Sequence, residues 1–279
     1  MKFLIITADD FGLHEAVNRA VEQAARSGVL TAASLMVGAP AAADAVRRAR
    51  DLPGLAVGLH LVLADGWSVL PQRSIPALVD AQGRFGNNMV RDGVRFFALP
   101  AVRRQLEAEI RAQFQAFAGT GLPLDHVNAH KHFHLHPTLL EMLLRIGSEF
   151  GVPAVRLPRE PGWAAPLLSP WLAIMRRRLR AGRIAHNDYV FGMSDSGAMD
   201  EARLLEVLGK LPDGVTEIYL HPALESGAAI TPSMSGYRHA DELAALLSPK
   251  VRAAIAACGA PTGSFRQLAT ATTAQRCAA

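Results

Sequence analysis

The residues best suited to chemistry sit directly behind short apolar runs. Asp9 and Asp10 follow Phe3–Thr7, His60 follows Leu55–Leu59, and His221 follows Glu217–Leu220. Behind His126–Ala129, histidines alternate at 130, 132, 134 and 136. Imidazoles and carboxylates of this kind hold divalent metals and move protons. Three protein ligands with one open position is the arrangement of a hydrolytic metal centre. Asp10, His60 and one of the alternating histidines would supply the ligands. Asp9 would then be free as general base on an activated water. A lone Asp at such a turn reads more readily as a helix N-cap. Two adjacent carboxylates repel each other, and a cation resolves the conflict.

The other candidates are weighed the same way. His221, before Pro222, is either a capping residue or the general acid that protonates a leaving amine. The histidine tract is either a loose surface metal binder or a set of side chains that orient ligands and touch substrate. Arg156 either pairs with Glu160 or holds Asp9 in its ionised state. His132, His134, Arg156 and Trp163 are the candidates for substrate contact. A non-catalytic histidine-rich metal-binding module is the rival to an enzyme, and metal stoichiometry separates the two.

Each of these groups needs a strand to deliver it. Strands are expected at 3–7, 33–37, 55–59, 126–129, 154–157 and 216–220, from short apolar runs with β-branched residues. Helices are expected at 14–27, 40–52, 101–119, 137–150, 199–211 and within 240–257. Alternating strands and helices imply a parallel α/β sheet. Seven or eight such units would close into a TIM-like (β/α) barrel, distorted if seven-stranded, and an open sheet is the alternative. In either, the carboxyl ends of the strands carry the active site. The chain reads as one domain over 1–279, with irregular insertions near 62–98 and 160–198.

Bulk composition narrows the class. The net charge of +4 is modest and argues against nucleic-acid binding. The two cysteines, Cys258 and Cys277, form no paired motif, which excludes a cysteine zinc site and fits a reducing cytoplasm. The opening apolar run is too short for a signal peptide and ends in two aspartates. The segment Gly162–Met175 holds Trp163 and Trp171 and runs into Arg176–Arg180. It reads either as a buried helix with a solvated basic end or as a contact with the inner face of a membrane. A homodimer stays open.

Taken together, Thr7-Ala8-Asp9-Asp10-Phe11-Gly12, Gly58-Leu59-His60-Leu61, Asn128-Ala129-His130-Lys131-His132-Phe133-His134 and His221-Pro222 resemble the YdjC-like carbohydrate deacetylases, which include chitooligosaccharide deacetylases. The likeness runs in order from residue 3 to about 250. On 33–37, 54–63 and 75–80 the chain looks closest to the hopanoid-biosynthesis-associated deacetylases. The resemblance implies a barrel-like fold, one divalent metal on Asp10, His60 and His130, and Asp9 as base. It implies release of acetate from an N-acetylglucosamine unit, here one carried on a hopanoid lipid, with a chitooligosaccharide as the alternative. It suggests Mg2+, whereas two imidazoles and a carboxylate also suit Zn2+, Co2+ or Ni2+. One position departs from the family pattern: Lys131 stands where a second histidine is common.

Overall fold

The computed structural model describes residues 2–162, 165–227 and 229–270. In chain order the elements are β1 (Lys2–Phe11), α1 (Glu15–Ser27), β2 (Ala32–Leu35), α2 (Ala42–Arg50), β3 (Ala56–Leu61), α3 (Met89–Ala98), α4 (Pro100–Gly119), β4 (Leu124–Ala129), α5 (Pro137–Glu149), α6 (Ala165–Ala181), β5 (Tyr189–Phe191), α7 (Glu201–Gly209), β6 (Gly214–Leu220), α8 (His239–Leu247) and α9 (Pro249–Ala257). The strands form one parallel six-stranded sheet in the order β4-β3-β2-β1-β6-β5. The sheet curls, and the helices lie around its outside.

Strand alternation sorts the residues between two faces. Leu4, Ile6 and Ala8 of β1 face outward and join the main core beneath the helices. Helix α1 meets them with Ala16, Val17, Ala20, Val21 and Ala24, all buried. Each fully buried Val or Leu there contributes about 1.5–3 kcal/mol. The other set of alternate residues turns into the concave side. Ile5, Ala32, Ala154 and Phe265 form a small apolar plug there, flanked by Phe3, Ala56 and Val215. Further along the same face the residues become polar: Thr7 and Asp9, Ser34, His60, His126 and Asn128, Glu217 and His221, all buried. The sheet thus has an apolar base and a polar throat.

Two sequence expectations change and a third is narrowed. The expected strand at 154–157 is not a ladder strand. It makes only isolated parallel bridges, Val127 with Val155 and Ala154 with Ala185. Pro153 and Pro158 flank it and cannot donate to a ladder. The side-chain amide of Asn187 takes the place of a neighbouring backbone, accepting from Leu157 N at 2.7 Å and donating to Leu157 O at 2.8 Å. Regular pairing therefore stops between β4 and β5. The result is a half-barrel, not the closed TIM-like ring. Second, the stretches expected to be irregular contain α3, α6 and the short edge strand β5. Third, α6 turns apolar residues inward, as the buried-helix reading of that segment has it. Leu172 and Met175 are buried, and Trp171 donates to Leu135 O at 2.8 Å. Among the described large apolar residues of α6, Leu167 and Ile174 stand exposed. Among the described residues, no helix is long and apolar enough to cross a membrane.

Candidate active site

β1 carries the first aspartate into the throat and then breaks its own geometry. Asp10 has φ of 62°, a left-handed conformation that costs a non-glycine residue free energy. The turn continues through Gly12 at φ 95°, where a Cβ would lie 3.2 Å from Ala42 Cα and Met36 O. The backbone N–H of Gly12 donates to Asn18 Oδ1 at 2.8 Å, which locks the turn onto α1. The strained turn aims Asp10 across the mouth of the sheet.

There Asp10 meets residues from two other strand ends. Its Oδ1 lies 3.0 Å from His130 Nδ1 and 3.2 Å from His60 Nε2. One ligand atom from each of Asp10, His60 and His130 lies within 4.8 Å of the others, and all three residues are buried. Both Asp10 oxygens are nevertheless buried without an aligned hydrogen-bond partner. Atoms that share a cation at roughly 2.1 Å stand about 3.0–3.5 Å apart, which matches these contacts. The donor set and the orphaned carboxylate thus fit a divalent cation. Burial opposes charge on Asp10, but the neighbouring histidines outweigh it and hold the carboxyl well below its usual range. Burial also opposes an imidazolium at His60, and Asp9 and Asp10 outweigh it to raise the group. Positive charge is favoured at this spot.

Beneath lies a second charged group, fully partnered. Arg156 is 0% exposed and donates to Asp9 at 2.5 and 3.0 Å and to Glu217 at 2.8 Å through both Nε and Nη2. Thr7 Oγ1 donates to Glu217 at 2.7 Å. The Arg156 guanidinium also lies 4.5 Å from the centre of the Tyr219 ring. Against the cost of burial, Arg156 holds the Asp9 carboxyl far below the ordinary range. Of the two partners considered from sequence, Arg156 takes Asp9. Glu160 instead accepts from Gly192 and Ser194. The expectation that Arg156 touches substrate is corrected, because its side chain has no free surface.

Asp9, His60, His130, Lys131, His132, Tyr219 and His221 line a cavity of about 290 Å³, together with Met193, Met234 and Tyr237. His221 Nε2 lies 3.9 Å from Asp10 Oδ2, and burial lowers its basicity despite the two aspartates. Its backbone N–H donates to Glu242 and its carbonyl contacts His239 Nδ1 at 2.5 Å, so the loop after β6 is fixed from both sides. His132 is 2.8 Å from the Tyr219 hydroxyl, and burial pushes its imidazole well below the usual value. His134 lies behind the cavity, where its Nε2–H donates to Arg156 O at 3.0 Å. It is 1% exposed and pushed down to about 3 by burial, so it supports the wall instead of meeting substrate. Lys131 bonds Asp65 and Asn87, each at 2.7 Å, tying the 62–98 stretch to the rim. Lys131 and His132 both have left-handed backbone, at φ 54° and 53°, which bends the histidine tract away from the extended ribbon that alternation suggests. Trp163 lies outside the described residues.

Sequence reasoning overlooked Ser34, Thr7, His126, Glu217 and Tyr219, and gave Asn128 no role. The signal was present as period-two alternation. Thr7–Asp9, His126–Asn128 and Glu217–Tyr219–His221 each place polar groups on one face of an otherwise apolar strand.

Comparison with known proteins finds relatives along the whole matched stretch. The profile of YdjC-like proteins matches residues 3–257. A carbohydrate deacetylase of Brevibacillus brevis is 33% identical over 255 residues, covering 89% of this chain and 92% of the relative. A chitooligosaccharide deacetylase of Serratia marcescens is 31% identical over 272 residues, covering 96% and 99%. A solved structure from Enterococcus faecalis V583, named as a candidate cellobiose-phosphate cleavage protein, superposes with a TM-score of 0.79 at 26% identity. It covers 96% of this chain and 98% of that one.

Proposed function

The chain belongs to the YdjC-like family, and from that premise we propose that it is a metal-dependent carbohydrate N-deacetylase acting on an N-acetylglucosamine unit. The carrying observation is the meeting of Asp10, His60 and His130 at one buried point, with His60 and His130 lining the cavity. The names of the relatives supply the substrate class. These residues would hold Zn2+, Mg2+, Co2+ or Ni2+. When bound, such a cation supplies Lewis acidity toward water and the amide carbonyl.

The chain's own groups do the rest. Asp9 faces the cavity and is kept ionised by Arg156, so it can accept a proton from the attacking water. The proton taken up by Asp9 passes by way of His221, which lines the same cavity, to the departing amine, and acetate leaves. His132 is positioned by Tyr219 to contact the sugar.

The finer substrate is an N-acetylglucosamine unit on a hopanoid lipid. One feature favours it over a free chitooligosaccharide. Helix α3 begins beside Asn87, a partner of Lys131, and presents Val90, Val94 and Phe97 to solvent at 80%, 63% and 68% exposure. Such a stripe suits an apolar aglycone or a membrane surface better than a sugar chain. The deciding experiment incubates purified, Zn2+-loaded protein with an N-acetylglucosaminyl lipid and, separately, with N-acetyl chitooligosaccharides. Mass spectrometry should show loss of an acetyl group, faster on the lipid. No loss from either substrate would overturn the deacetylase reading.

A further inference from the structure

A file of buried polar groups runs from the cation ligands down the throat of the sheet. His60 Nδ1 lies 2.6 Å from Asn128 Oδ1, and Asn128 Nδ2 lies 2.9 Å from Ser34 Oγ. Ser34 Oγ lies 3.0 Å from His126 Nε2, and His126 Nδ1 lies 2.9 Å from Asp125 Oδ2. All five residues are at most 2% exposed. Space for the file is built into the sheet. A Cβ on Gly58 would lie 2.5 Å from the His126 ring, so β3 carries a glycine where that ring crosses it.

The direction of each hydrogen bond follows from one end. An ionised carboxylate only accepts. Asp125 also accepts from Arg266 N at 2.8 Å on its other oxygen. It therefore accepts a hydrogen bond from His126 Nδ1–H, which leaves His126 Nε2 as an acceptor for the Ser34 hydroxyl. Ser34 Oγ then accepts from the Asn128 amide, whose oxygen accepts from His60 Nδ1–H. The other end agrees. Asn128 Nδ2 also donates to Asp9 Oδ1 at 3.2 Å, and a reversed amide would set its oxygen against that carboxylate. With Nδ1 donating to Asn128, His60 turns Nε2 toward Asp10, where a cation would take its lone pair.

We propose that Asp125, His126 and Ser34 are positioning residues for the candidate metal centre, which orient the Asn128 amide and thereby fix His60 in the tautomer able to bind a cation. This rests on reading Asp10, His60 and His130 as cation ligands. Partners of metal-binding histidines commonly change affinity by about 10–100-fold when removed. Here the control reaches from the opposite end of the throat.

The test uses long-range 1H–15N NMR of the metal-free full chain, with His60 assigned by its loss in His60→Gln, alongside Zn2+ affinity from chelator competition. The wild type should show His60 protonated on Nδ1. Asp125→Asn supplies a donor where an acceptor stood, so His60 should shift to the Nε2–H form or a mixture. Zn2+ affinity should fall about 10–100-fold. Ser34→Ala cuts the file at its middle and should give a mixed tautomer with a smaller loss. If Asp125→Asn does not fold, Ser34→Ala decides alone. An unchanged tautomer and unchanged Zn2+ affinity in the folded variants would overturn the proposal. Failure of the wild type to bind Zn2+ would instead overturn the metal reading, while the tautomer spectra still judge the file.

Discussion

The rim of the sheet and the throat beneath it hold the same kinds of side chain under opposite conditions. In the throat, Asp9, Arg156, Glu217 and Thr7 partner one another. At the rim, both oxygens of Asp10 and one ring nitrogen each of His132 and His221 are buried without a partner. A buried polar group left unmade costs about 1–3 kcal/mol, and more when charged. The throat is therefore built to be stable as it stands. The rim is built to be completed by something that binds. Adjacent residues in one strand, Asp9 and Asp10, fall on the two sides of this division.

That contrast is easiest to break with the largest effects. Asp10→Ala and His60→Ala should lower deacetylation about a thousandfold or more, the scale of several kcal/mol of lost electrophilic assistance. Metal analysis should find the tight site gone. Asp9→Asn should lose turnover on a similar scale while keeping its metal. Retention of full activity by Asp9→Asn would remove it as the base.

Arg156→Ala probes the other region. It strands Asp9 and Glu217 in the interior without their cation, which should destabilise the fold by about 3–5 kcal/mol. An unchanged urea midpoint would mean that the throat is wetter than its burial indicates. Added Zn2+ should act in the reverse sense. At a hundredfold excess over its dissociation constant it should stabilise the wild type by about 2.7 kcal/mol and leave His60→Ala unmoved. Calorimetric melting with and without the metal measures both.

The two regions were unequally legible in the sequence. The rim was readable because its residues fall behind apolar runs, and parallel α/β sheets gather such positions at one edge. Asp10, His60 and His130 therefore stood out, as did His221. The throat was hidden by a different habit of reading. Thr7, Ser34 and Glu217 look ordinary singly, and only the alternation along each strand places them together on the concave face. Arg156 stood out, but its partner was decided by a fold contact 147 positions away in sequence, which no local pattern specifies. The half-barrel was missed for a related reason. Apolar Ala154–Leu157 reads as a strand, and nothing local tells that Asn187 would cap it with a side chain. The left-handed turns at Asp10, Lys131 and His132 lie beyond propensity, since strain of that kind is upheld by surrounding structure.

Glu242 tests whether the division is complete, because it is a buried carboxylate with neither an arginine nor an orphaned oxygen. It accepts backbone N–H bonds from Met199 and His221. Burial outweighs those bonds and raises its carboxyl from 4.5 to about 7. The sign of the linkage follows. Below about pH 4.5 the group is protonated in folded and unfolded chains alike, and burial carries no charge penalty. As pH rises toward 7 the unfolded chain sheds its proton first, so stability falls by up to about 1.4 kcal/mol per pH unit, roughly 3 kcal/mol in all. Glu242→Gln keeps an acceptor oxygen but cannot ionise. Nearby histidines and aspartates titrate in both proteins, so the difference between them isolates this residue. Urea midpoints at pH 5 and pH 8 in metal-free buffer should show the wild type losing about 2–3 kcal/mol relative to the variant. Parallel behaviour would mean that the two N–H donors hold Glu242 ionised, and that the loop bearing His221 is anchored by a charge as firmly as Arg156 anchors the throat.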